Sequence, residues 1–231
     1  MSLMFPKWMN ALPTLGAIAS MGGVVTVIAG TWYWATPSFF EVGYQPTQPG
    51  TGFNHKIHAG KLGMDCRYCH SNVEKSPEAN IPAVSTCYGC HGPNKVSPAR
   101  STATDEKTQF IRDAFDADES IEWRRVHKLP DYVRNFPHDV HLSAGVSCLS
   151  CHGQIMSMPV VHQAESLSMS FCLDCHRHPE QALVPKDKVT DLRWVAGELE
   201  ARAAGQGTTN TDELTGMLWN APPQACGACH Q

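Results

Sequence analysis

All ten cysteines of this 231-residue chain fall into five copies of one pattern, Cys-x-x-Cys-His. The copies are Cys66-x-x-Cys69-His70, Cys87-x-x-Cys90-His91, Cys148-x-x-Cys151-His152, Cys172-x-x-Cys175-His176 and Cys226-x-x-Cys229-His230. This is the attachment signature of a c-type haem: two cysteines form thioethers with the vinyl groups, and the adjacent histidine reaches the iron. A zinc ribbon does not require a histidine after each pair, and a disulfide framework would not space its cysteines this way. The pattern predicts five covalently bound haems, with His70, His91, His152, His176 and His230 as proximal ligands.

The chain also repeats itself. Phe53-Asn-His55-Lys-Ile-His58 precedes the first motif by seven residues, and Phe136-Pro-His138-Asp-Val-His141 precedes the third by six. A further motif follows each unit. We read a duplicated two-haem unit, 53–91 and 136–176, with the C-terminal helices and a lone fifth haem in 177–231. Histidines three apart lie on one face of a helical turn, so each turn offers two candidates for the distal side of an iron.

Beyond Thr36 remain about 39 residues for each motif. So little protein per cofactor cannot build a large side-chain core. The fold class predicted is mainly α, with long loops wrapped around the porphyrins; sixteen prolines and eighteen glycines suit such wrapping. The net charge of −4 and the lack of a basic block exclude a nucleic-acid surface.

No charge lies between Lys7 and Glu41, and the stretch from Ala11 to Ala35 is apolar. About 25 residues of helix cross a bilayer core of about 30 Å. Trp8 at one end and Trp32, Tyr33 and Trp34 at the other match interfacial belts. A cleaved signal would show an A-x-A-like site before Glu41, and none is evident. Residues 1–36 therefore read as one transmembrane anchor in contact with lipid, 37–52 as an extended linker and 53–231 as the haem domain. Gly16, Ala19, Ser20 and Gly23 are small residues of the kind that permit close helix contact in membranes.

Gly92–Thr104 reads as a loop and Thr104–Glu119 as a helix with a packing stripe of Phe110, Ile111 and Phe115. Lys186–Ala204 reads as a helix, and Thr211 as the cap of a short helix through Trp219 that Pro222 and Pro223 stop.

Twelve histidines are present. Five are proximal. His55, His58, His138 and His141 are the foremost distal candidates, followed by His127; His162 and His178 are expected not to be ligands. Met158 and Met169 are the thioether candidates, and Met/His ligation raises a haem potential. Supply exceeds demand, so no iron is forced to keep a vacant position. That favours electron transfer over catalysis at iron.

The chain resembles the pentahaem cytochrome c subunit of bacterial alternative complex III, a quinol:electron-acceptor oxidoreductase. The resemblance covers most of the chain. It rests on Gln45-Pro-x-x-Pro49 leading into Phe53-Asn-His-Lys-Ile-His58, on Trp123-x-Arg-Val-His127-x-Leu-Pro-Asp131, on Leu167-Ser-Met-Ser-Phe-Cys-Leu-Asp-Cys-His-Arg177 and on Pro222-Pro-x-x-Cys226. It implies a haem domain on the periplasmic side of the bacterial cytoplasmic membrane, tethered by a single pass. It also implies mostly bis-His haems with one His/Met haem. The implied partners are an iron–sulfur protein, polytopic membrane subunits and a monohaem cytochrome c or terminal oxidase, with quinol oxidised in other subunits. On that reading the chain is an electron-transfer subunit and not an enzyme by itself. The alternatives are a catalytic multihaem reductase, whose active haem carries Lys where all five motifs here carry His, and a quinol-dehydrogenating tetrahaem anchor protein.

Full maturation commits every cysteine. The denatured chain should therefore weigh five haems more than the bare polypeptide by mass spectrometry; four or fewer on fully matured protein would contradict the count.

Overall fold

The computed structural model describes residues 6–39, 41–93, 95, 106–129, 133 and 136–230. It falls into two compact units, 1–42 and 43–231. Most of the predicted loop Gly92–Thr104, and Pro130 and Asp131 of the Trp123 segment, lie outside the described residues.

The first unit is one helix. A 3-10 turn, Lys7–Ala11, runs into α1, Leu12–Phe39. At 1.5 Å per residue its 28 residues extend about 42 Å. Its apolar span, Trp8–Ala35, has a mean hydropathy of 1.8 and is unburied throughout. The few polar groups are satisfied internally: Ser20 Oγ donates to Gly16 O at 2.6 Å and Thr26 Oγ1 to Gly22 O at 2.8 Å, as a hydrocarbon environment demands. The helix runs past the predicted boundary at residue 36, because nothing charged interrupts the apolar run before Glu41.

The second unit is built from short helices and loops; among the described residues its β pairing is one antiparallel bridge between Val146 and Leu183. Each haem motif sits on a helix: α2 Cys66–Cys69, α3 Val84–His91, α6 Cys148–His152, α7 Met169–Arg177 and α10 Cys226–Cys229. The others are α4 Gln109–Asp116, α5 His138–Ala144, α8 Leu192–Ala203 and α9 Thr211–Gly216. Three motif helices start on side-chain caps, with Asp65, Ser147 and Ser168 accepting from Arg67 N, Leu149 N and Phe171 N. One turn of helix is marginal in water by itself, so these caps and the tertiary contacts define the motifs.

The predicted linker 37–52 is corrected in its second half. Residues 43–52 are bound into the second unit. Gly43 N donates to Gln163 O at 2.8 Å, Gln163 N to Tyr44 O at 3.0 Å, and Gln48 pairs with the Arg124 backbone through both amide groups. Glutamines and backbone amides supply the donors, so an extended segment that reads as a spacer becomes part of the wall.

The predicted helix Lys186–Ala204 begins later, at Leu192. Val189 is buried in the core at 2 % exposure, which turns the chain there. Asp191 then caps α8 by accepting from Trp194 N. Asn210, not Thr211, caps α9: its Oδ1 accepts from Glu213 N at 3.3 Å. The stripe on α4 packs as expected, with Ile111 buried, Phe110 edge-on to Trp123 and Phe115 stacked on Tyr88 at 3.6 Å.

The apolar core is small: Val184, Val189 and Val195, with Leu149, Trp194 and Leu199 against them. Beside it the buried carboxylate of Glu198 holds the following loop. It accepts from Thr208 Oγ1 at 2.7 Å, from the backbone N–H groups of Thr208 and Thr209, and from Arg202 Nε at 3.0 Å. Burial opposes its ionisation, but these donors outweigh it and hold the carboxyl well below its ordinary value of 4.5. The stabilisation is thus fully present above pH 4.5 and is lost as pH falls toward the depressed folded value. Glu198→Gln should cost about 2–3 kcal/mol at neutral pH, the scale of charged hydrogen bonds. In chemical denaturation the gap between variant and wild type should narrow as the buffer is taken below pH 4.5.

Candidate functional site

The two repeated turns have the same geometry to within a few tenths of an ångström. Phe53 lies edge-on to His55 at 4.7 Å and stacks on His58 at 4.4 Å; Phe136 lies edge-on to His138 at 4.9 Å and stacks on His141 at 4.5 Å. His58 Nδ1 is 2.9 Å from Asn54 O, and His141 Nδ1 is 2.8 Å from Pro137 O, four residues back in both cases. The extra residue of the first copy is absorbed in its turn. Lys56–Lys61 is π-helical where α5 is regular, and the chain returns through Met64 N to His58 O rather than Val146 N to His141 O.

A carbonyl oxygen only accepts, so each Nδ1 paired with one carries the proton and leaves Nε2 as a free lone pair. The same holds for His70 against Asn80 O at 2.7 Å, His138 against Pro77 O at 2.7 Å and His176 against Pro223 O at 2.6 Å. Such a bond is how metal-ligating imidazoles are oriented. Sequence reasoning missed all these carbonyls, because a backbone carbonyl occurs at every residue and leaves no mark in a motif.

The rings then pair. His58 and His91 have centres 6.0 Å apart, His141 and His176 6.2 Å, and His138 and His152 6.4 Å. Two imidazoles on opposite faces of one metal, each about 2 Å from it, have centres roughly 6 Å apart. His55 is an electrostatic neighbour of His70. Burial pushes His55 down to about 4, His127 to about 4 and His152 to about 3. They are thus neutral at physiological pH, the state that binds iron.

His55 Nδ1, His127 Nε2 and His152 Nδ1 are buried with no hydrogen-bond partner among the described residues. His127 sits 4.2 Å from His152, edge-on, too close for an atom between them on a common axis. Met158 is buried at 6 % exposure and lies against Gly153, whereas Met169 is 67 % exposed at the start of α7. His178 is half-exposed and 3.5 Å from Glu180. His162 is an electrostatic neighbour of His127.

None of the ten cysteines is paired with another in a disulfide. Each pair stands three apart, on one face of its helical turn. Burial raises Cys151 to about 12. Among the described residues no three His, Cys, Asp or Glu side chains converge to hold a bare metal ion. The imidazoles face one another with centres 6.0–6.4 Å apart, as ligands on opposite sides of a metal do, which fits a planar macrocycle rather than a tetrahedral ion.

Residues 134–231 match the family model described as cytochrome c7 and related cytochrome c. That C-terminal part of the chain is thus similar to multihaem cytochromes c. Covalently bound haem c is the cofactor that this likeness implies, and the cysteines and imidazoles above fit it. The chain is also 25 % identical over 226 residues to the menaquinone reductase multihaem cytochrome c subunit of Nitratidesulfovibrio vulgaris (strain Hildenborough). That match spans 94 % of this chain and 90 % of the relative.

The pairing predicts the outcome of His58→Ala. Low-temperature electron paramagnetic resonance should show one new high-spin haem, and that signal should vanish when Cys87 and Cys90 are also replaced by Ser. If it vanishes with Cys66 and Cys69 instead, His58 serves the motif immediately after it.

Proposed function

We propose that this cytochrome is the membrane-anchored, five-haem electron-transfer subunit of a quinol-oxidising complex of the alternative complex III type. The observation that carries the reading is the repeated pairing of imidazoles at 6.0–6.4 Å. An iron held from both faces has no position for substrate. Haem iron so bound supplies one-electron transfer at a potential set by its axial ligands and surroundings.

The ring pairings support the following ligand set. Each motif's own histidine is proximal. His55 serves the Cys66/Cys69 haem, His58 the Cys87/Cys90 haem, His138 the Cys148/Cys151 haem and His141 the Cys172/Cys175 haem. Met169 serves the fifth: it stands three residues before Cys172 on α7, and Cys172 is an electrostatic neighbour of Cys229. Met158 and His127 then act as packing beside the third motif, where Met158 is buried near Gly153 and His127 lies edge-on to His152.

Lys7 ahead of the apolar helix and none within it favours an N-terminus on the cytoplasmic side. The haem domain then stands in the periplasm. Other subunits oxidise quinol, and the partners are an iron–sulfur protein, polytopic membrane proteins and an accepting monohaem cytochrome c. The near full-length likeness to a menaquinone reductase subunit supports a place in a quinone-linked membrane complex. It also favours a second reading, in which the same relay runs toward quinone.

Purified complex mixed anaerobically with a short-chain quinol should show its haem α-band rise within the catalytic turnover time. Haems that stay oxidised with quinol, but reoxidise with menaquinone analogue after chemical reduction, would select the second reading. Haems indifferent to both would remove the quinone-linked role.

A further inference from the structure

Number the haem sites by chain order: site 1 at Cys66/Cys69, site 2 at Cys87/Cys90, site 3 at Cys148/Cys151, site 4 at Cys172/Cys175 and site 5 at Cys226/Cys229. Their order in space differs. Sites 1 and 2 are joined through one turn, because Phe53 touches both His55, beside site 1, and His58, whose ring faces His91. Sites 3 and 4 are joined in the same way by Phe136, His138 and His141.

The two repeats meet at their first sites. His138 donates both its backbone N–H and its Nδ1–H to Pro77 O of the first repeat. Lys56 N donates to Met158 O, just beyond site 3, and Thr190 Oγ1 donates to Asp65, the cap of the site 1 helix. The side chains of Cys66 and Cys148 are neighbours.

Site 5 joins at the far end of the second repeat. The carbonyl that orients His176 belongs to Pro223, three residues before Cys226. Cys172 and Cys229 are neighbours as well. Exposure follows the same order: Cys90 and Cys226 are exposed, and the other eight cysteines are partly covered.

We propose that the five haem sites form an unbranched line in the order 2–1–3–4–5, with the repeats meeting head to head at sites 1 and 3 and electrons entering and leaving at sites 2 and 5. This rests on the electron-relay reading above and adds its sequence of steps. Each hop oxidises one site and reduces its neighbour by one electron, and no atom or proton moves between them. The fifth haem breaks the symmetry of the duplication and makes the two ends different, so donor and acceptor meet different surfaces.

Anomalous scattering at the iron edge from the intact matured protein would locate five irons without any substitution. The expected result is that site 1 is nearest to sites 2 and 3, and that site 5 has site 4 as its nearest neighbour. Site 2 nearer to site 3 than site 1 is, or site 5 nearest to any site but 4, overturns the order. Potentials give a second arm. Removing the end haem by Cys226→Ser with Cys229→Ser should shift the midpoint of one remaining haem, whereas removing site 1 by Cys66→Ser with Cys69→Ser should shift two. Two shifted haems in the first variant would exclude the line. Neither measurement involves quinol, so the order can fail while the quinone-linked role stands, and the reverse.

Discussion

An imidazole has two nitrogens, and it can present one to a metal reliably only when the other is held. Among the described residues the Nδ1 atoms of His58, His141, His70, His138 and His176 are held by backbone carbonyls, those of Asn54, Pro137, Asn80, Pro77 and Pro223. That one kind of hydrogen bond decides which nitrogen is free, how each ring is turned and which segments must lie side by side. Two of the five are local, reaching four residues back within a turn. The bonds to Pro77 and Pro223 cross the chain, so they position ligands and join segments at once.

The protein around these rings has little else to cohere by. The side-chain core is three valines with a few neighbours, and the motif helices are too short to persist alone. Polar contacts carry more of the assembly than in a larger domain. Gln163, almost fully buried, clamps residues 43–44 through its backbone and receives the Lys128 N–H on its side chain. Glu198 collects four donors to fix one loop. Arg193 donates to Gly60 O, tying α8 to the first repeat. On the proposed five-haem reading, covalent porphyrins would contribute the apolar surface that the side chains do not supply, so that about 39 residues per motif suffice.

Duplication explains both the likeness and the small differences of the two halves. Phenylalanine, two imidazoles and a carbonyl four residues back recur at nearly the same distances. The additional residue in the first copy would rotate everything beyond it by about 100° if it continued an α-helix. Taking it up as a π-helical turn leaves the ligands in register. The symmetry ends where the environments diverge: His138 Nδ1 reaches across to Pro77, while His55 Nδ1 is buried without a partner among the described residues.

Cysteine pairs, their following histidines, the repeated Phe-x-His-x-x-His turn and the uncharged stretch of α1 were all legible in the sequence. Each is a local pattern whose spacing has a meaning within one or two helical turns. The same logic misplaced the cap of α9 by one residue and took residues 43–52 for a free spacer. Asn210 and Gln48 have roles set by what lies opposite them, and that is not written beside them. Which imidazole faces which and which carbonyl holds each ring were decided only by the tertiary structure. His58 meets His91 and His138 meets Pro77 across long separations in the chain, and a pairing of that kind depends on how the segments pack, not on the spacing of residues along any one of them.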